Sequence, residues 1–541
     1  MHYVVLALVL LLAVAVSGMI ARLSPLRLPL PLIQIAAGAL LGGPLGVEIP
    51  LDPEIFFLLF IPPLLFLDGW RIPKGAFFRD LRPILTLAVG LVIFTVVGMG
   101  FFIHWLVPSM PLAVSFAVAA ILAPTDPVAV SAVRGDTPVP PRMHHILEGE
   151  ALLNDASGLD LFRIAVAAVV TGSFSLMETA VGFVWVACVG VAIGVAVSFV
   201  CGYALRGLAR IGGEDTGVQI LVSLLLPFAA YLAAEHLGGS GILAAATAGI
   251  ASHYVNLHGS ELSTTRMERR AVWNMVQGVM NGVIFLLLGE QLVRIFTGDL
   301  GEVRLSHFGV GVLLFYVAAI TAALLALRFI WVWVPLYFSK PINIQLGRRG
   351  RLLLVTAASV AGVRGVITLA GVLSLPLLLP DGSPFPARHL AVVIATGVIL
   401  LSLLLACLTL PALIRRLPTT PQLQTLDDEL GARQTAARAA IARLESLRSG
   451  IEDSDGDAGI EREALDYLLE LYRRRLTSGD SENDDRIWAL AGVERQFRLA
   501  ALAAERDQLY QLRFRHQIDD ELHRKLVLEV DLLEASLGSR G

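Results

Sequence analysis

From its first residues to about Leu413 the chain is a succession of apolar runs, most near the ~20 residues that a helix needs to cross a bilayer. Short polar connections separate them, and that alternation constrains the fold more than any other feature of the sequence. About thirteen such runs can be read, the third and ninth being short for a full crossing. With 55% apolar and only 16% charged residues in 541, the chain cannot hide its hydrophobic surface in a water-soluble core. The reading is an all-α polytopic membrane protein, which excludes a soluble enzyme, a secreted disulfide scaffold and a disordered chain. A net charge of −4 gives no electrostatic case for nucleic acid. Cys188, Cys201 and Cys407 lie in apolar stretches without metal-ligand spacing and read as small core hydrophobes.

Basic residues orient the runs. With the N-terminus outside, the connections that should face the cytoplasm carry Arg22 and Arg27, then Arg71, Lys74, Arg79 and Arg82, then Arg134 and Arg142. Further along they carry Arg206 and Arg210, then Arg266, Arg269 and Arg270, then Lys340, Arg348, Arg349 and Arg351. The opposite connections offer little beyond Arg294, Arg304 and Arg388. The first run lacks a basic flank and a small-residue cleavage site, so it reads as a span and not as a removable signal. After Arg415 and Arg416 the composition turns to Asp, Glu, Arg, Gln and Ala with helical periodicity. This divides the chain into a membrane domain (1–416), a Pro-containing linker (417–421) and a cytoplasmic helical domain (422–541). Helices are expected over Asp427–Leu447, Ile460–Leu476 and Asp485–Ser536, the last broken around Arg515-His516. The acidic stretch Glu452–Asp457 lacks a complete calcium-loop pattern and reads as a solvated loop.

Charges inside the apolar runs carry the functional information, because a carboxylate at the bilayer centre costs about 2.5–3.5 kcal/mol on insertion scales. In the fifth run, Pro124-Thr125-Asp126-Pro127 removes backbone donors and predicts a broken helix whose freed carbonyls need a partner. In the sixth, Glu148-Gly149-Glu150 is followed by Asn154-Asp155. Carboxylate, amide and hydroxyl oxygens suit a hard monovalent cation, and a partly desolvated carboxylate can hold a proton instead. One group that binds either is the minimal chemistry of exchange. Against this stand a kinked helix merely capped by Asp126, and an Asn-Asp pair that only ties helices together. Glu150 needs a counter-charge, and Arg364, flanked in Gly362-Val363-Arg364-Gly365 by residues that permit close approach, is the expected partner in a structural ion pair. Asp160 and Arg163 are spaced to neutralise each other; Arg328 and Asp68 are further charges inside runs, and Glu290 reads as interfacial.

Taken in order, Phe60–Phe66 (FIPPLLF), Ala123-Pro124-Thr125-Asp126-Pro127, Glu148 to Asp155, Gly241-Ile242-Leu243-Ala244 and Gly362-Val363-Arg364-Gly365 form a specific set. By it the chain resembles the bacterial sodium/proton antiporters of the monovalent cation:proton antiporter family, which includes the animal sodium/proton exchangers. The resemblance implies thirteen transmembrane helices in two inverted repeats, with the fifth and twelfth spans as crossing broken helices. It also implies an inner-membrane homodimer that uses no cofactor and moves Na⁺ (Li⁺ or K⁺ as alternatives) against H⁺ for pH and sodium homeostasis. Carried over, Asp155 binds Na⁺ or the proton, Asn154 supports it and marks electroneutral exchange, Thr125 and Asp126 shape the site, and Glu150 with Arg364 stabilises it. Two positions depart from the family pattern. Ala151 stands where a Ser is common, removing a possible hydroxyl ligand, and Asp160 stands where an apolar residue is usual. Rival classes are a cation channel, which would show large uncoupled currents, and an intramembrane enzyme, for which no nucleophile or metal constellation with suitable spacing exists.

Overall fold

The computed structural model describes residues 2–23, 29–47, 49, 52–125, 141–172, 175–212, 215–256, 263–297, 309–338, 348–416, 434–435, 437–448, 459–477, 484–515, 517 and 520–538. Asp126, the 417–421 linker and the 452–457 acidic stretch lie outside these residues. The chain divides into two units, Met1–Pro418 and Thr419–Gly541.

In the first unit, α1 (His2–Leu23), α2 (Leu30–Gly42) and α3 (Pro53–Arg71) lead through a short α4 (Lys74–Arg79) to α5 (Leu81–Leu85). A π-turn at Thr86–Leu91 joins α5 to α6 (Val92–Leu106), and α7 (Leu112–Leu122) follows. Then come α8 (Pro141–Thr171), α9 (Leu176–Gly212), α10 (Thr216–His236), α11 (Gly241–Asn256) and α12 (Ser263–Thr297). The unit ends with α13 (Val310–Phe338), α14 (Arg348–Val360), α15 (Val366–Leu373) and α16 (Arg388–Arg415). Among the described residues, eight helices are long and apolar enough to cross a membrane, and α2, α7 and α11 are shorter apolar helices. Helix α8 is long enough, but its carboxylates and Arg163 keep it outside these eight. Large side chains such as Leu8, Leu12 and Met19 on α1 and Trp185, Val200 and Tyr203 on α9 stand exposed, the distribution expected of a surface facing lipid. Cys201 and Cys407 are half-buried and pack against the core, whereas Cys188 is exposed and departs from the core position the sequence suggests.

Two helix pairs are joined by the same device. A Cβ on Gly38 (α2) would strike the carbonyl of Leu286, and one on Gly289 (α12) would strike that of Ile35. In the second pair, Gly69 (α3) sits over the carbonyl of Ala246 and Gly249 (α11) over that of Phe66. In all four contacts the carbonyl belongs to the residue three before the partner glycine. Only hydrogen in place of a side chain lets two backbones approach this closely. Exchanging α2–α3 with α11–α12 maps one pair onto the other, the relation two structural repeats impose. At one end of α12, Glu290 is buried, not interfacial: its Oε1 accepts the Ile49 N–H (3.2 Å) and its Oε2 accepts from Gln291 Nε2 (2.7 Å).

The second unit contains α17 (Gly459–Thr477), α18 (Asp484–Phe514) and α19 (Asp520–Gly538), so helix stops on either side of Arg515-His516. Arg506 of α18 pairs with Asp531 (2.8 Å) and Glu534 of α19, while Leu502 and Val530 are buried.

Candidate cation and proton site

The site is built where α7 stops. Pro124 has no N–H to continue the helix, and α7 ends at Leu122, with Ala123–Thr125 non-helical. A second interruption, Ala361–Gly365, separates α14 from α15 and contains no proline; Gly362 and Gly365 supply the backbone freedom. The two interruptions meet through Arg364. Its Nε donates to the carbonyl of Leu122 (2.9 Å), and its Nη1 donates to the Gly362 carbonyl. Its own backbone N–H donates to Ser402 Oγ on α16 (3.3 Å). A guanidinium over the last carbonyls of α7 satisfies acceptors that the broken helix leaves orphaned and meets the negative end of its dipole. The partner that the sequence demanded for these carbonyls is therefore, in part, an arginine.

Helix α8 passes this break at close range. A Cβ on Gly158 would run into the Pro124 ring, and one on Gly371 of α15 would run into Ile121 of α7. This packing sets Asn154 against the break: its Nδ2 donates to Thr125 Oγ1 (2.9 Å). Thr125, Asn154 and Asp155 are buried, at 5%, 1% and 4% exposure, so any charge here is held largely away from water. The amide oxygen, Asn154 Oδ1, is buried and has no hydrogen-bond partner among the described residues. Hydroxyl, amide and carboxylate oxygens without nitrogen or sulfur ligands suit a hard cation as substrate. Ser157 Oγ is spent on the carbonyl of Leu153 (3.1 Å). Of the four residues assigned to the site from sequence, the structure joins Thr125 to Asn154 and buries Asp155 next to them along α8; Asp126 lies outside the described residues.

The expected Glu150–Arg364 ion pair is not formed. Glu150 is instead clamped by Arg328 of α13, with Nη1 to Oε1 at 2.5 Å and Nη2 to Oε2 at 2.9 Å, both side chains buried. Arg328 Nε also donates to the carbonyl of Ala358 on α14 (3.0 Å). Two parallel bonds match the planar fork of guanidinium to carboxylate and give the geometry a buried pair requires. Arg364, two residues past Gly362, is drawn instead to carbonyls of the two breaks. The close approach predicted for the glycines is real, but its beneficiary is Arg328: a Cβ on Gly362 would lie 2.8 Å from Arg328 Cδ and 2.9 Å from Nε. Sequence reasoning noted Arg328 as a charge in an apolar helix, yet nothing local to it named its partner. Arg163 likewise pairs not with Asp160 but with Glu235 of α10 (3.1 Å), a residue the sequence did not single out.

A buried carboxylate and amide at a helix break, close to two buried arginines, form the candidate site. Comparison with known proteins gives the class. Residues 9–416 match the transmembrane domain of the sodium/hydrogen exchanger family, and the chain belongs to that family, one of transporters and not of enzymes. It is 42% identical over 544 residues to the uncharacterized Na(+)/H(+) exchanger YjcE of Escherichia coli, covering 98% of both chains. It is 38% identical over 526 residues to the sodium, potassium, lithium and rubidium/H(+) antiporter of Bacillus subtilis, covering 95% of this chain and 75% of that protein. The fold resembles that of the sodium proton antiporter MjNhaP1 from Methanocaldococcus jannaschii, with a TM-score of 0.58 at 17% identity over 77% of this chain and 99% of that one.

Proposed function

We propose that this protein exchanges a monovalent cation, Na⁺ foremost and Li⁺ also, for H⁺ by alternating access, with Asp155 as the group that carries either. The observation behind this reading is the buried constellation at the α7 break: Asn154 bound to Thr125 at 2.9 Å, its Oδ1 without a hydrogen-bond partner among the described residues, and Asp155 next in the chain. In one state Asp155 holds a proton; losing it to one side, the carboxylate accepts a cation, with Thr125 and Asn154 supplying neutral oxygens and Asp126 a further carboxylate. A rigid-body movement then opens the site to the other side. If one carboxylate alternates between H⁺ and M⁺, no net charge crosses, so the exchange is electroneutral. Glu150 with Arg328, and Arg364 on the α7 carbonyls, hold the breaks in register during this cycle.

The setting we propose is an inner-membrane homodimer with the N-terminus outside, the second unit cytoplasmic and regulatory, and a role in sodium and pH homeostasis. The basic residues concentrated in alternate connections support that orientation. K⁺ is the alternative cation, favoured by the range of ions in the name of the Bacillus subtilis relative. The test is cation-induced fluorescence dequenching in everted vesicles with Na⁺, Li⁺ and K⁺ across pH. Asp155→Asn is expected to abolish the response, and full retention would refute the assignment of the site. An imposed membrane potential is expected to leave the coupled flux unchanged.

A further inference from the structure

Among the described residues, the closest glycine contacts of helix α8 lie on one side. Gly149 sits over Ile84 of α5, Gly158 over Pro124, and Leu159 against Gly371 of α15, while Glu150 is tied to α13. Helices α9 and α11 are packed with equal closeness to each other: Gly190 over the Ser240 backbone, Gly194 over the carbonyl of Ala244, and Gly202 over Val255. Among the described glycines, none makes such a contact between α8 and α9, α10 or α11. Between these two bodies lies a cleft of about 280 Å³, lined by Asp160 and Arg163 of α8, Glu178 and Phe183 of α9, and Glu235 and Gly239 at the α10–α11 corner.

Among the described residues one ion pair bridges that cleft, beside a side-chain hydrogen bond between Asp160 and Ser240 at the α10–α11 corner. Arg163 Nη1 reaches Glu235 Oε1 (3.1 Å) and Oε2 (3.4 Å), and Glu235 Oε1 also receives the N–H of Gly241 at the start of α11 (3.4 Å). The pair is half-exposed to the cleft, with side chains 51% and 32% accessible. Asp160 stands three residues before Arg163 on the same face of α8, 7% exposed, and within electrostatic reach of both Arg163 and Glu235. A guanidinium released from Glu235 would need another counter-charge; Asp160, itself hydrogen-bonded to Ser240, offers one on the same helix.

We propose that Arg163 is a gating residue with two partners: on Glu235 it latches α8 to the α10–α11 corner, and as α8 moves it transfers to Asp160 on its own helix. This rests on the exchange reading above, and it assigns a task to Asp160. Glu235→Gln weakens the latched state and Asp160→Asn weakens the unlatched one. The two variants should therefore move the apparent KM for the cation in opposite directions, each by about two- to five-fold, the range for one exposed ion pair. Arg163→Glu with Glu235→Arg rebuilds the latch in reverse and should restore KM but not the maximal rate; adding Asp160→Arg should restore the rate. The decisive test uses cysteines at 163 and 235 in a chain whose Cys188, Cys201 and Cys407 are replaced. A short bifunctional thiol reagent should stop exchange in the double variant and spare both single variants. Exchange continuing in the joined protein, or Glu235→Gln and Asp160→Asn shifting KM in the same direction, would overturn the latch. Failure of the exchange reading would look different, because the unsubstituted chain would then respond to none of the three cations.

Discussion

The glycine seams and the site hold helices together by opposite means. Where α2 meets α12 and α3 meets α11, the helices are regular at the contact and approach until backbone lies on backbone, with four glycines in reciprocal positions. Where α7, α8, α14 and α15 meet, two helices are interrupted, and the contact runs through long side chains: Arg364 to the Leu122 carbonyl, Arg328 to Glu150, Asn154 to Thr125. A seam of small residues leaves no polar group to satisfy and no space to fill, so it behaves as one rigid body. A junction of broken helices leaves carbonyls that must be partnered, and the groups that partner them can also bind or release ions. The same membrane setting thus produces a scaffold in one place and the candidate site in another, according to whether the backbone stays helical.

The largest effect should come from separating the buried charges. Arg328→Met leaves Glu150 buried without its partner and should destabilise the protein by about 3–5 kcal/mol, read as thermal unfolding in detergent. The double variant with Glu150→Met should recover most of that loss, because it removes the stranded charge. If Arg364→Met destabilises as much as Arg328→Met and Glu150→Met rescues it, then Arg364, as first expected from the sequence, is the functional partner. Next come the seams. Gly249→Ala or Gly289→Ala drives a methyl into a carbonyl that cannot yield and should cost about 1–3 kcal/mol, with the cation dependence of the surviving transport unchanged. A change in cation affinity there would erase the distinction between scaffold and site. Thr125→Val removes the acceptor of the Asn154 amide, a loss of about 1 kcal/mol, and should raise the apparent KM for the cation; Thr125→Ser should behave like the parent.

An effect confined to alkaline pH concerns Lys74, in the connection after α3. It is buried, its ammonium donates to the Trp70 carbonyl, and burial brings its pKa down from 10.5 to about 8. Between pH 8 and 10.5 the unfolded chain therefore binds more protons at this residue than the folded one, so folding stability should rise with pH across that window. Below pH 8 both forms are protonated and the residue contributes no slope. Lys74→Met should flatten the rise in a melting series from pH 7.5 upward.

Particular residues show which features could be read from the chain. The break at Pro124 was legible because proline's effect on a helix is local: a missing donor and a ring that clashes one turn back. Asn154 and Asp155 were legible because polar groups in an apolar run need a purpose. The partner of Glu150 was not. Two intramembrane arginines were available, and the choice between them, 178 residues away in Arg328, depends on how α13 and α14 lie across α8. Gly362 illustrates both sides: its need for close approach was visible, but the neighbour that approaches was not. Glu235 carried no signal, since a carboxylate near a helix end reads as ordinary until Arg163 is seen beside it.

By itself the sequence determined that this chain lives in a bilayer, that a helix breaks at Pro124, and which carboxylate stands next to an amide in an apolar run. These follow from hydrophobicity, backbone chemistry and spacing, all of which act over a few turns of helix. Tertiary structure alone decided which arginine holds Glu150, that the second holds the end of α7, that four glycines form two matching seams, and that Arg163 crosses a cleft to Glu235. Those outcomes depend on contacts between helices far apart in the chain, where a side chain takes whichever partner lies within reach of its charge.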